Sequence, residues 1–202
     1  TPKVAIVILN WNGIKYLRPF LPSVLASTWP NLDIIVGDNG STDGSVDFLK
    51  PNFPSVQIIQ NDQNYGFTGG YNKVLDRVEA DYLILLNSDV EVPAGWIEPV
   101  IELMESDALI AAAAPKIRSF ADKDHFEHAG AAGAHSVAGL ALVVGGQERA
   151  ARCAARWDRG VGVFVVARRV REKLGSVQNL SALHRSVLGA VPVRQGHGGA
   201  HP

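Results

Sequence analysis

The stretch LDIIVGDNGSTDGS, residues 32–45, decides the fold class. It begins with a short, mostly apolar and β-branched run that predicts a strand buried in a sheet. The nine residues from 37 to 45 are then Gly, Asp, Asn, Ser and Thr throughout. Such residues form ordinary turns, and they also form the rim of a ligand pocket where a buried strand ends. Which of the two applies depends on the sequence to either side.

Apolar runs alternate with helix-like segments on both sides of this stretch. Strands are predicted over 4–10, 32–38, 56–61, 81–89 and 109–117, and helices over 14–27, 44–50, from about 68 to 80 and over 93–106. This order, with short connections, predicts an α/β fold: a Rossmann-like, mostly parallel sheet sandwiched by helices. Pro19 and Pro22 are expected to bend or delay the first helix.

The bulk composition is that of one globular domain, alone or with an extension. The chain has 202 residues, 47% of them hydrophobic and 19% charged, with a net charge of −1. That charge balance gives no reason to expect a nucleic-acid partner. The single Cys excludes an internal disulfide framework and predicts a reducing compartment, the cytoplasm. The apolar run near residue 4 is too short for a spanning helix and is interpreted as a strand.

The composition changes near residue 129. Residues 1–128 contain 9 Lys and Arg and 17 Asp and Glu, whereas residues 129–202 contain 10 and 3 and have no Ile, Thr, Tyr or Met. We therefore divide the chain into a 1–128 domain and an atypical Ala/Gly/Arg-rich segment, 129–202. A basic subdomain, a disordered tail and an out-of-frame translation each explain the segment. Residues beyond about 130 are expected to be poorly ordered or loosely packed.

Polar residues follow each of the first four predicted strands, at 10–13, 38–43, 61–66 and 87–89. Turn chemistry explains any one of these loops. Four of them at one edge of a parallel sheet favour a ligand site, because ligands bind at the carboxyl ends of the strands. There is no G-x-G-x-x-G after the first strand and no G-x-x-x-x-G-K-[ST], so the dinucleotide fingerprint and the P-loop are both excluded.

The residue types in these loops suit a nucleoside diphosphate and a divalent cation. Trp11 offers a flat face for stacking on a base, and Asp38 offers an acceptor for a base N–H group. Backbone amides around Gly69 and Gly70, near a helix start, are placed to approach a phosphate. Asp89 ends a buried strand with a carboxylate, a hard ligand that suits Mg²⁺ or Mn²⁺.

Four segments, in this order and spacing, resemble the donor half of the family 2 glycosyltransferases. They are VAIVILNWNG (4–13), IIVGDNGSTDGS (34–45), NYGFTGGYN (64–72) and LLNSDVEV (85–92), and the resemblance covers about 4–118. It implies a GT-A fold and transfer of a sugar, usually with inversion, from a UDP-, dTDP- or GDP-linked donor. The implied acceptor is a glycan or lipid-linked glycan in bacterial cell-wall or polysaccharide synthesis, with peripheral contact at the inner membrane.

The resemblance also implies roles for single residues. Eight would bind the donor: Leu9, Trp11, Asp38, Asn64, Gly69, Gly70, Asn87 and Ser88. Leu9 and Trp11 would line the base site, and Asp38 would bind the base. Residues 87–89, Asn-Ser-Asp, take the place of the family's D-x-D motif. Since its first position is Asn here, Asp89 would be the metal ligand, with Asn87 as a weaker helper.

The catalytic base that the family uses has no counterpart in this sequence. In the family it is a downstream acid, often within an E-D pair, but the acids beyond residue 127 are Glu148, Asp158 and Glu172, in unrelated contexts. We assign no base, and an inactive nucleotide-sugar-binding fragment is the alternative function. A nucleotidyltransferase would require a Gly-rich, Arg-bearing loop after the first strand, and NWNGIKYL (10–17) matches that poorly.

Overall fold

A computed structural model of the chain describes residues 1–107, 110–128, 135–137, 140–144 and 163–167. The described residues form four helices: α1 (Ile14–Leu25), α2 (Ser45–Asn52), α3 (Gly66–Leu75) and α4 (Ile97–Ser106). They also form ten strands: β1 (Val4–Asn10), β2 (Leu32–Asp38), β3 (Gln57–Gln60), β4 (Tyr82–Leu86), β5 (Ile110–Pro115), β6 (Ile117–Arg118), β7 (Phe126–His128), β8 (His135–Val137), β9 (Leu140–Val144) and β10 (Val163–Ala167). No helix in these ranges is long and apolar enough to cross a membrane.

Eight of the strands make one sheet, in the order β3-β2-β1-β4-β10-β5-β9-β8. The pairs β3/β2, β2/β1 and β1/β4 are parallel. β10 is antiparallel to both of its neighbours, and β9 is antiparallel to β5 and β8. Six strands therefore run in one direction, which confirms the predicted α/β fold with a mostly parallel sheet.

Helices cover both faces of the parallel half. Val4, Ile6 and Ile8 of β1 belong to a core that includes buried side chains of α1 and α4. Ala5 and Val7, whose side chains point to the opposite face, belong to a second core with residues of α3. This explains why β1 is apolar throughout rather than alternating. It also leaves the carboxyl edge of the sheet as the place where polar side chains collect.

Helix α1 is not delayed by its prolines. Leu17, Leu21 and Val24 are buried at helical spacing, and Pro19 and Pro22 lie inside the helix at exposed positions. A proline lacks the N–H that would bond the carbonyl four residues earlier. At an exposed position water can bond that carbonyl instead, so the helix continues to Leu25.

Two of the differences from the predicted bounds concern the segment after β4. β4 ends at Leu86, and residues 87–89 leave the strand in a turn rather than extending it to 89. Helix α4 begins at Ile97 rather than near Pro93. Both differences lengthen the irregular segment after β4, so that it extends from the sheet edge to the start of α4.

The segment 129–202 contributes strands to the same sheet. Its described residues form β8, β9 and β10, and β10 lies between β4 and β5. Val163 and Val165 of β10 are buried in the core beside α4. The sheet therefore continues across residue 128, where the composition changes. The prediction of loose packing elsewhere in the segment concerns residues outside the described ranges.

Candidate functional site

The carboxyl ends of β1 and β2 meet through a buried pair of polar residues. Asn10 and Asp38 are partners in the strand register, and each is 1% exposed. Asn10 Nδ2 donates to Asp38 Oδ1 at 3.0 Å and to Ser41 Oγ at 3.0 Å, and the Ser41 amide donates to Asp38 Oδ2 at 3.1 Å. Because a buried carboxylate is costly unless donors surround it, these bonds hold Asp38 in one orientation.

The loops that follow β1 and β2 are bonded to each other. The Asn12 amide donates to Ser41 Oγ at 2.9 Å, and the Thr42 amide donates to Asn12 Oδ1 at 2.8 Å. The Ile14 amide, at the start of α1, donates to Asp43 Oδ2 at 2.9 Å. The polar stretch in residues 37–45 is therefore more than a turn, since it joins two strand ends and the first turn of α1.

Asp43 is held mainly by hydrogen bonds from its neighbours. Its carboxylate accepts from the Ser45 amide at 3.0 Å, from the Ser45 hydroxyl and from the Ile14 amide. Burial raises the pKa of Asp43, but the bonds from Ser45 and Ile14 outweigh burial and hold that pKa below its ordinary value. Asp43 is therefore charged near neutral pH, where it supports the starts of both α1 and α2.

A second cluster connects β2 to the start of α3. The buried Asn39 donates through Nδ2 to Asn64 Oδ1 at 2.7 Å and to the Gly66 carbonyl at 3.0 Å. Its Oδ1 accepts from Asn61 Nδ2 at 3.0 Å and from the Tyr65 amide at 3.2 Å. Both N–H groups and the oxygen of the side-chain amide are thus bonded to residues 61–66, which are the loop before α3 and its first residue. Asn39 brings Asn64 to the same edge as Asp38.

Two glycines are required by this close packing. Gly40 has a φ of +77°, and a Cβ there would lie 2.9 Å from the Gln63 carbonyl carbon. A Cβ on Gly70 would lie 2.8 Å from Asn39 Nδ2. Gly70 is therefore needed for packing in addition to its predicted donor-binding role. Its neighbour Gly69 is half-buried in the first part of α3.

Tyr71 joins α3 to the ends of β1 and β4. Its hydroxyl donates to the Leu86 carbonyl at 3.1 Å and lies 3.4 Å from the Leu9 amide, which donates to it. The side chain is fully buried, and burial raises the pKa of Tyr71. The phenol therefore stays neutral and donates to Leu86. Leu9 is half-buried beside this contact, while Trp11, two residues on, is 57% exposed.

The turn at residues 87–89 adjoins a cleft of about 680 Å³. Asn87 and Asp89 line it, and Asp89 is exposed. The other sides come from the loop at 90–93, from α4 and from the segment 115–123. Leu9, Trp11, Asp38, Asn64, Gly69, Gly70 and Ser88 are not among its lining residues. The predicted donor residues therefore form two groups at one edge: the strand-end clusters, and the cleft.

Ser88 and Gly13 mark where the two groups approach each other. A Cβ on Gly13 would lie 2.5 Å from Asn10 Oδ1 and 3.8 Å from Ser88 Oγ. Asn10 Oδ1 has no hydrogen-bond partner within the described part of the chain. The sequence interpretation assigned Asn10 no role, although a polar residue closing an otherwise apolar strand was the available signal. Asn39 was missed in the same way.

The acidic residues at the cleft suit a cation that arrives with a ligand. In the described ranges no group of three or more His, Cys, Asp or Glu side chains is placed to hold a metal ion. Asp89 offers one carboxylate, and Asn87, which lines the same cleft, offers an amide oxygen. Mg²⁺ is commonly bound by one or two carboxylates together with substrate phosphates. The residues fit a cation shared with a diphosphate.

The comparison with protein families identifies the chain. The sequence profile named Glycosyl transferase family 2 matches residues 5–156, which is more than half of the sequence. The chain belongs to glycosyl transferase family 2. The match extends past residue 128, and it confirms the resemblance stated from the four motifs. Glu148, Asp158 and Glu172 lie outside the described residues, so no catalytic base is added here.

Two curated relatives of this glycosyltransferase family member illustrate the match. An uncharacterized glycosyltransferase of Haemophilus influenzae is 26% identical over 126 residues, which are 61% of this chain and 39% of the relative. The N-acetylglucosaminyl-diphospho-decaprenol L-rhamnosyltransferase of Mycobacterium tuberculosis is 23% identical over 129 residues, 58% of this chain and 42% of the relative. The chain thus spans about two fifths of the length of these relatives.

A solved structure confirms the GT-A fold. The mannosyltransferase PcManGT from Pyrobaculum calidifontis, in complex with GDP-Man and Mn²⁺, superposes with a TM-score of 0.60 at 14% sequence identity. The superposition covers 87% of this chain and 47% of the mannosyltransferase. At this identity the likeness concerns the fold, and the ligands belong to the mannosyltransferase.

Proposed function

We propose that this chain is the donor-binding part of a metal-assisted, inverting glycosyltransferase. It takes a hexosyl or deoxyhexosyl unit from a UDP-, dTDP- or GDP-linked donor and transfers it to a glycan or lipid-linked acceptor. The observation that carries the proposal is the position of Asp89. Its exposed carboxylate lies beside Asn87 at the carboxyl end of β4, at the edge where β1 and β2 place the Asn10–Asp38 cluster.

In this proposal each group of residues has a separate task. Trp11 stacks on the base, and Asp38 accepts a base N–H with a lone pair that Asn10 and Ser41 leave unused. The start of α3, positioned by Asn39, borders the sugar phosphate. Asp89, helped by Asn87, holds Mg²⁺ or Mn²⁺, which when bound neutralises the charge that develops on the leaving diphosphate.

The comparisons support the substrate classes. PcManGT is described in complex with GDP-Man and Mn²⁺, which supports a nucleotide-sugar donor and a divalent cation for this chain. The name of the mycobacterial relative includes a sugar linked through a diphosphate to decaprenol, which supports a lipid-linked acceptor. Because a lipid-linked acceptor lies in a membrane, we include peripheral contact with the cytoplasmic face of the inner membrane in the proposal.

Calorimetry on the full chain tests the donor site. We expect UDP, dTDP or GDP to bind more tightly with Mn²⁺ than without it. Asp89→Ala should abolish the metal-dependent part while circular dichroism shows an unchanged fold. Glu102→Ala removes an exposed carboxylate of α4 and is the matched control. Metal-dependent affinity that survives Asp89→Ala would contradict the assignment.

Turnover is measured separately from binding. Donor hydrolysis and transfer assays on the same preparation show whether the bound nucleotide sugar reacts. Metal-dependent binding with turnover supports the transferase. Binding without any turnover would select the inactive nucleotide-sugar-binding fragment instead.

A further inference from the structure

The cleft that Asp89 lines has a cationic side. Lys116, Arg118 and Lys123 all line it, on the segment that follows β5. Residues 1–128 contain only nine Lys and Arg against seventeen Asp and Glu. Two carboxylates, Asp89 and Glu91, line the same cleft. A third of the basic residues of an acidic domain are thus gathered there and outnumber the lining acids, which favours an anionic ligand.

The charges across the cleft leave room for such a ligand. Lys123 Nζ lies 2.6 Å from Glu91 Oε2, and the two side chains are 65% and 45% exposed. An exposed pair of this kind contributes about 1 kcal/mol or less. Arg118 Nη1 donates to the Lys123 carbonyl at 3.2 Å, which holds the segment in place. An anion can therefore take over Lys123 from Glu91 at little cost.

The cleft is apolar below its charged rim. Its lining includes Val92, Trp96, Val100 and Val163, all buried core residues. At the rim the Phe120 ring is 62% exposed, and it packs edge-on against Phe20 with ring centroids 5.3 Å apart. Lys123 Nζ lies 5.7 Å from the centre of the Phe120 ring. Cationic groups and one exposed aromatic ring thus occur side by side.

We propose that this cleft binds the acceptor through a diphosphate that joins its sugar to an apolar chain. Lys116, Arg118 and Lys123 hold the diphosphate, since Lys and Arg are the usual partners of phosphate oxygens. The exposed face of Phe120 contacts the first part of the apolar chain. This assignment rests on the proposed function, and it names the acceptor class for the cleft next to Asp89.

The first test measures binding of two probes, farnesyl diphosphate and inorganic pyrophosphate, to the full chain without metal or nucleotide. Lys116→Gln combined with Arg118→Gln should weaken farnesyl diphosphate binding by about tenfold or more, as expected for lost charge-assisted hydrogen bonds. Lys50→Gln, an exposed lysine of α2, is the matched control and should change affinity by less than about twofold. Equal affinity in the double variant and the wild type would overturn the proposal.

Two further variants separate specific contacts from general charge. Glu91→Gln removes the competitor of the ligand for Lys123, so it should tighten farnesyl diphosphate binding by a few-fold. Phe120→Ala should weaken farnesyl diphosphate binding and leave pyrophosphate binding unchanged. If pyrophosphate binds as tightly as farnesyl diphosphate and Phe120→Ala has no effect, the assignment of a lipid-linked acceptor is overturned.

Failure of this inference is distinguishable from failure of the proposed donor site. Asp89→Ala should remove Mn²⁺-dependent UDP binding while metal-free farnesyl diphosphate binding persists. A chain that binds UDP with Mn²⁺ but does not bind farnesyl diphosphate overturns this inference and leaves the donor site standing. Farnesyl diphosphate binding that UDP with Mn²⁺ displaces completely assigns the cations to the donor site, and this also overturns the inference.

Discussion

Asn10 connects polar residues at the carboxyl edge of the sheet, although it occupies the end of an apolar strand. It gives two hydrogen bonds, one to the buried Asp38 carboxylate and one to Ser41, from a position that is itself buried. Hydrogen bonds to charged groups are the stronger ones, and leaving a buried charge short of a donor is costlier still. Asn10 therefore affects stability and the orientation of Asp38 together.

Asn10→Leu should destabilise the chain by about 2 kcal/mol, measured by urea denaturation. The variant keeps a similar volume but removes the donor to Asp38, and the loss is offset in part because the unpartnered Asn10 Oδ1 also disappears. Asn31→Leu, at an exposed asparagine, should stay within about 0.5 kcal/mol of the wild type. Equal stabilities of the two variants would show that the Asn10–Asp38 bond does not hold the strand ends.

Asp43 is a second single residue with a testable effect: it should make the stability of the folded chain depend on pH. Because its pKa is lowered in the folded chain from an ordinary value of 3.8, its stabilising effect is present above that value. It is lost as the pH falls through the lower, folded-state pKa. The stability difference between the wild type and Asp43→Asn should therefore be full at pH 6 and shrink below about pH 4. A difference that stays constant from pH 6 to pH 3 would contradict this account.

At the scale of elements, α3 illustrates how a helix start is positioned by a side chain from another element. Asn39 of the β2 end bonds the loop before α3, and Gly70 of α3 leaves the space that Asn39 occupies. The predicted start near Thr68 differs from the observed Gly66 because these contacts draw the preceding residues into the first turn. Periodicity alone carries no information about such a contact.

Gly70→Ala should destabilise the chain by about 1–3 kcal/mol in urea denaturation, despite the better helix propensity of Ala. The added methyl group would meet the Asn39 amide at 2.8–2.9 Å and break its bonds to the loop. We also expect weaker nucleotide binding, since α3 borders the donor in the proposed function. Gly95→Ala, where the nearest atom lies 3.9 Å away, is the control and should be close to neutral. A stabilising Gly70→Ala would refute the packing role.

At the scale of the whole molecule, β10 connects the two compositional parts. It pairs with β4 over five residues and with β5 over two, between strands that come from the acidic part of the chain. Without it, both β4 and β5 would present an open edge, which is a liability for a sheet. The predicted boundary at residue 128 describes the composition, while the sheet continues past it.

Val165→Asp should destabilise the chain by more than about 4 kcal/mol, because it places a charge at a fully buried position between β4 and β5. Val165→Ala, which leaves only a small cavity, should cost about 1–3 kcal/mol and separates the effect of charge from that of lost volume. Urea denaturation of the full chain measures both. If Val165→Asp unfolds at the same urea concentration as the wild type, β10 is dispensable and the domain ends at residue 128.

The local pattern of the sequence was sufficient for the parallel half of the fold. The observed β1 and β2 have the predicted bounds, and the other predicted helices and strands up to β5 are present with shifted ends. This succeeds because burial on both faces imposes a continuous apolar run, and helices impose a period of 3.6. The gathering of polar strand ends at one edge was likewise predictable from the parallel topology.

Tertiary structure alone decided what those polar residues contact. The insertion of β10 between β4 and β5, the buried roles of Asn10 and Asn39, and the cationic cleft beside Asp89 all join segments separated by 20 to more than 70 residues. Periodicity reports which face of an element is buried, because that depends on neighbours along the chain. Which residue bonds a buried amide, and which strand pairs with an open edge, depends on the path of the whole chain. These partners are therefore decided only when all the strands assemble into the sheet.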